Sequence, residues 1–160
     1  MLLTVLACRN AGPPATEPME TELPFETVLK FPDGPVSLSG TKEQATYQGL
    51  DLTVVTNQAK TPQTADALSS IDYDENLVII ADWGLKPTTG WAVTIECITQ
   101  IKRDVRVIVR LVEPTAGGTL ITHPLHVVTV SKTALTTRGS LNFVLVEGDK
   151  VILSRDYFVP

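Results

Sequence analysis

Short apolar runs with a period of two, cut off from one another by turn residues, leave this chain few folds to choose from. Residues 91–97 alternate, with Trp91, Val93, Ile95 and Cys97 on one face and Thr94 and Glu96 on the other. Residues 105–111 do the same, with Arg106 and Arg110 turned to water and Arg103-Asp104 in the hairpin turn between the two runs. Residues 50–56 alternate, and 77–81, Leu-Val-Ile-Ile-Ala, form a continuous apolar run that suits a strand covered on both faces. Further strands are expected at 25–31, 125–130, 141–146 and 151–153. The first is closed by the turn residues 32–35, and the last two flank a tight turn at Gly148-Asp149. Thr61-Pro62 opens one short helix over 63–69, with Thr as N-cap and Pro at the first helical position. The pattern is mainly β, or β-rich α+β: an antiparallel β-sandwich or a partly open barrel with one short helix.

Charge removes several functional classes. A formal net charge of -5 offers no basic footprint for phosphates, so no nucleic acid is expected as a partner. Polybasic attachment to a membrane surface is disfavoured for the same reason. No apolar run reaches the roughly 18 residues that a spanning helix needs.

The N-terminal residues point to export. Val5-Leu6-Ala7-Cys8 resembles the bacterial lipobox, in which the Cys thiol is acylated, so Cys8 is the expected lipidation site. The apolar stretch before it is short and lacks a positive segment, which reads as a truncated signal. The expected organisation is residues 1–8 as signal and lipobox, 9–23 as a Pro- and Gly-containing flexible tether, and 24–160 as one β-rich domain. Its expected location is the cell envelope, lipid-anchored outside the cytoplasm. The second cysteine, Cys97, is expected to be a small buried hydrophobe in a strand.

Motifs for catalysis are missing. There is no G-x-S-x-G elbow, no phosphate-binding loop and no G-x-G-x-x-G. Asp72 to Asn76 opens like a calcium loop, but Leu77 stands where the turn glycine belongs, so a polar turn with its own side chain-to-backbone bonds is expected. His123 and His126 lie three apart, on opposite faces of a strand, and read as two loop-edge histidines. No metal, cofactor or enzymatic activity is expected.

In order and spacing, several elements together resemble the protease-complex subunit PrcB family, best over residues 71–132. They are Ile71-Asp72-Tyr73 ahead of the 77–81 strand, Gly84 with its loop to Gly90-Trp91, and Thr122-His123-Pro124 ahead of a strand ending at Lys132. Thr89 stands where Gly is usual in that family and Trp91 where Tyr is common. The resemblance implies an exported, often lipid-anchored, non-catalytic domain that acts by contact with another exported protein, a secreted protease being the partner class. A small-ligand-binding or protease-inhibitor-like β domain is the alternative. The contact loop expected from the residues is 83–91, with Trp83, Gly84, Lys86, Pro87, Gly90 and Trp91 as its candidates, beside a second loop at 114–124. Trp83 and Trp91 could equally fill the core, and the alternation of 91–97 favours core for Trp91.

Overall fold

The computed structural model describes residues 19–31, 49–58 and 66–160. Cys8, most of the expected tether, the 32–35 turn and the Thr61-Pro62 helix start lie outside them. Among the described residues, nine strands form two sheets. Sheet A holds β1 (Thr21–Glu22), β5 (Ala92–Ile101), β6 (Asp104–Val112), β8 (Gly139–Glu147) and β9 (Lys150–Val159), in the order β1-β5-β6-β8-β9. Sheet B holds β2 (Phe25–Phe31), β3 (Asp51–Val55), β4 (Asn76–Asp82) and β7 (Leu125–Ser131), in the order β2-β7-β4-β3. The two sheets stay separate, so the fold is a sandwich and not a barrel. All pairings are antiparallel except β6 with β8, which run parallel because the chain crosses to sheet B for β7 before it returns. Of the expected helix, Asp66–Ser69 is helical (α1). The folded part also begins before residue 24: Thr21 and Glu22 pair with Gln100 and Thr99, and Leu23 is buried in the core.

The main core lies between the sheets. Leu77, Ile79 and Ala81 of β4 and Val128 and Val130 of β7 meet Val93, Ile95 and Ile98 of β5 and Leu141, Phe143 and Leu145 of β8. The other face of β4, with Val78 and Ile80, builds a second cluster with Val55, Leu68, Tyr73, Leu125 and Val127. That division explains the continuous apolar run: β4 is buried on both sides. The β5–β6 hairpin turns at Lys102-Arg103, with Lys102 at φ 55, and Gly148 at φ 56 turns β8 into β9.

The alternation of β5 breaks where the sequence shows no sign of it. Ile95 pairs with Val109 but Cys97 pairs with Ile108, so Glu96 is a bulge residue and the side chains change face beyond it. Ile98, not Cys97, therefore joins Val93 and Ile95 in the core. Cys97 is buried in its strand as expected, 5% exposed, but it is disulfide-bonded, which was not expected.

His126 spans the sandwich at this bulge, which corrects its reading as a loop-edge residue. It is buried, its Nδ1 accepts the Ile95 amide of the opposite sheet at 2.8 Å, and its Nε2 lies 2.9 Å from Thr27 Oγ1 on β2. Since Nδ1 accepts, the ring is neutral with its proton on Nε2, which donates to Thr27. Burial first and the charge of Lys30 second lower its pKa to about 4. The unfolded chain thus takes up this proton near pH 6.5 while the folded one resists until about pH 4. Stability is complete above 6.5 and falls by about 1.4 kcal/mol per pH unit across that window, roughly 3 kcal/mol in all from this group. Urea unfolding of wild type and His126→Asn at several pH values checks this. The slope is expected in the wild type and lost in the variant; an equal slope in both contradicts the assignment.

Candidate functional site

One end of the sandwich is built from two loops that hold each other. The first, residues 83–91, leaves β4 after Asp82; the second, 113–124, connects β6 to β7. Backbone hydrogen bonds join the loops and their roots. Trp83 N donates to Pro124 O at 3.0 Å, and Lys86 and Thr122 exchange both amide bonds, at 2.8 and 3.0 Å. Thr89 N donates to Gly118 O at 3.4 Å, and Gly118 N returns a bond to Thr89 Oγ1 at 2.9 Å. Side chains finish the seam: Thr122 Oγ1 donates to Thr88 O, and the Trp91 indole donates to Thr88 Oγ1. Buried or half-buried loop amides need such partners, and the pairing stiffens a region that would otherwise be mobile.

The close approach explains the glycines. At Gly90, φ is +90 and an added Cβ would meet Pro114 Cβ at 2.8 Å. At Gly117 it would meet Thr89 O at 2.6 Å. Gly84, at φ 68, donates its amide to Asp82 Oδ1 at 2.7 Å. The same carboxylate oxygen lies 2.6 Å from His123 Nε2, so Asp82 at the root of one loop latches onto the other. The structure therefore gives His123 an acidic neighbour from 41 residues away, which the local sequence does not show. His123 and His126 do not converge: one faces Asp82, the other Thr27 and Ile95.

The six candidates of the first loop take different places. Trp83 is buried, 6% exposed, and belongs to the main core. Trp91 is half-buried against that core and meets Trp83 edge-to-face, with centroids 5.1 Å apart at 78°. Lys86 rests its ammonium on both rings, 4.5 Å from the Trp83 centroid and 5.1 Å from that of Trp91. Desolvation lowers the Lys86 pKa, and the charges of Glu113 and Asp82 act against that. Gly84 and Gly90 shape the loop, and Pro87 is exposed at its turn. The rings thus anchor the loop, and a contacting molecule would meet its rim.

The second loop carries side chains that sequence reasoning did not single out. Leu120 is 69% and Ile121 57% exposed, and Val112 at the loop's root is 41% exposed. Their signal is in the sequence: an adjacent Leu-Ile pair outside any alternating run, just before Thr122-His123-Pro124. Among the described residues no group of three or more His, Cys, Asp or Glu could hold a metal.

At the opposite end of β4, Ile71-Asp72-Tyr73 and Lys132 meet. Lys132 is buried, and its ammonium donates to Tyr73 O at 2.6 Å and Thr56 O at 3.3 Å, while its amide donates to Glu75 O at 2.8 Å. Asp72 accepts the Asp74 amide on Oδ1 and the Asn76 amide on its carbonyl, which makes 72–76 the expected polar turn. These residues form a structural clasp for β4 and β7, remote from the loops.

Residues 77–131 match a family model described as PrcB C-terminal. The match spans β4 to β7 and includes both loops of the tip; it stops one residue short of Lys132. No curated protein and no solved structure matches the chain.

Proposed function

We propose that this protein is an exported, non-catalytic accessory domain that docks another exported protein, a secreted protease by class, through the paired loops 83–91 and 113–124. The family match makes a protease-complex accessory role the starting point. The observation that carries the reading is the exposed Leu120-Ile121 pair on a tip stiffened by backbone bonds from the neighbouring loop. Adjacent exposed apolar side chains on a preorganised loop mark contact surfaces, since little ordering entropy is lost when they are covered. Lys86 and Pro87 lie on the first loop of the same tip, beside the Thr122 bridge. The docked partner would be supported by a rigid surface, with the chemistry left to its own residues.

Two features support export. The Val5–Cys8 pattern supports a lipid-anchored protein in the cell envelope. The disulfide at Cys97 supports an oxidising compartment, where such bonds persist. Acylation of Cys8 and its use in a disulfide would exclude each other, because one thiol cannot carry both. Intact-mass spectrometry of protein from its native membranes, with and without reductant, separates them. A lipid adduct is the outcome expected under anchoring; free thiols at both cysteines with no adduct would contradict export.

The docking claim is tested by affinity capture from native envelope material, with mass spectrometry as readout. Recovery of an exported protease in fixed proportion is expected. Consistent recovery of no protein contradicts the reading and favours a small-ligand domain. The sign of the effect on the captured protease separates a supporting subunit from an inhibitor.

A further inference from the structure

Sheet A ends at β9, and among the described residues no strand pairs with its outer side. Elsewhere in the sandwich, two backbone groups at strand edges are taken by side chains. The edge carbonyl of Leu52 on β3 accepts from Arg155 Nη1 at 3.0 Å and Tyr157 Oη at 3.1 Å, and the β5 amide of Ile95 is taken by His126. The β9 side chains thus cap one β3 carbonyl, while among the described residues no strand pairs with the outer backbone edge of β9 itself, ten residues long. Open edges of that length are templates for another strand.

The register of β9 says what kind of strand fits. Leu153, Arg155 and Tyr157 pair with Leu145, Phe143 and Leu141 and face inward with them. Ser154, Asp156 and Phe158 therefore face outward. Ile152 is a bulge residue, because Leu145 pairs with Leu153 but Val146 with Val151. The bulge shifts Val151 onto the outward face, so both large exposed apolar residues of β9, Val151 at 56% and Phe158 at 66%, share it.

We infer that β9 is a self-association edge, at which a second copy of this chain adds its own β9 in antiparallel register about a two-fold axis at Arg155. In that register Ser154 stands opposite Asp156 of the second copy, hydroxyl to carboxylate, and Leu153 opposite Tyr157. Phe158 lies at the bulge of the second copy, against its Val151. Symmetry repeats each contact, so the two exposed apolar residues are covered twice by one interface. The two Arg155 guanidinium groups oppose each other, but each is already paired with its own Asp51 at 2.7 Å. The edge lies outside residues 77–131 and contains no residue of the paired loops, so the inference is independent of the docking proposal.

Sedimentation equilibrium of the purified full chain, from low micromolar to millimolar concentration, is the test. A concentration-dependent monomer–dimer equilibrium is expected. Val151→Lys and Phe158→Lys change exposed positions and should leave the circular dichroism spectrum and melting temperature unchanged. Each acts twice in the dimer and should raise its dissociation constant by about tenfold or more. Leu120→Asp should leave the dimer intact. A chain that stays monomeric throughout, or a dimer unmoved by either β9 substitution or dispersed by Leu120→Asp, overturns the inference.

Discussion

Replacing Lys132 with alanine is expected to lower the stability of the domain by about 3 kcal/mol. Its ammonium is buried at the base of β4, where it donates to the carbonyls of Tyr73 and Thr56. Alanine leaves both oxygens inside the protein without that donor, and each orphan costs roughly 1–3 kcal/mol. The lost aliphatic stem adds a cavity. Against this stands the cost of keeping a cation out of water, which the wild type bears and the variant does not. Because both carbonyls lose their donor together, their desolvation outweighs that relief. For a chain of this size the loss corresponds to a fall in melting temperature of about 10 °C. Thermal unfolding of the two proteins at neutral pH measures it. A variant within about 0.5 kcal/mol of wild type would mean that water replaces the ammonium and that Lys132 is not a clasp.

The second large effect is expected at the tip, and on binding alone. Leu120 and Ile121 are mostly exposed, so aspartate at both should change stability by no more than about 0.5 kcal/mol. In a partner interface the same change buries two carboxylates where two apolar anchors sat. Anchors at the centre of an interface are each worth about 2 kcal/mol or more, so affinity should fall by at least about 100-fold. The double variant Leu120→Asp/Ile121→Asp should melt with the wild type yet fail to hold its partner. Trp83→Ala is the informative contrast. It hollows the core and should lower stability by about 3–5 kcal/mol, so any loss of binding there would not identify a docking residue.

Where local pattern governed, the residues told the fold well. The strands at 25–31, 77–81, 105–111 and 125–130 follow from apolar periodicity, and the Gly148-Asp149 turn from its chemistry. The doubly buried face of β4 was legible because five apolar residues in a row have no wet side. Bulges were not legible. Glu96 looks like an ordinary outward strand residue, and only its partner strand shows that Val109 and Ile108 pair with Ile95 and Cys97. One skipped residue moved Cys97 off the core face and set the Ile95 amide against His126 from the other sheet. His126 could not be read as an inter-sheet bridge, because its partners come from 31 and 99 residues away. β1 was hidden for another reason: two residues carry no period.

The candidate site was legible in parts. Both loops were identified, and Gly84 and Gly90 marked the backbone turns that positive φ requires. Their mutual docking depends on Thr122 meeting Lys86 and on Gly117 and Gly118 lying against Thr89, pairings no local rule predicts. That docking decides which residues are free. It packs the tryptophans inward under Lys86 and leaves Leu120 and Ile121 outside, so the exposed apolar side chains lie on the neighbour of the aromatic loop.

The most direct test of the docking account compares wild type and Leu120→Asp/Ile121→Asp as equal baits in one affinity capture from native envelope material. An exported protease in fixed proportion on the wild type, and its near-complete absence from the equally folded variant, is the predicted result. Equal recovery of the same partner on both baits would place its binding surface elsewhere and contradict the paired-loop tip as the docking site.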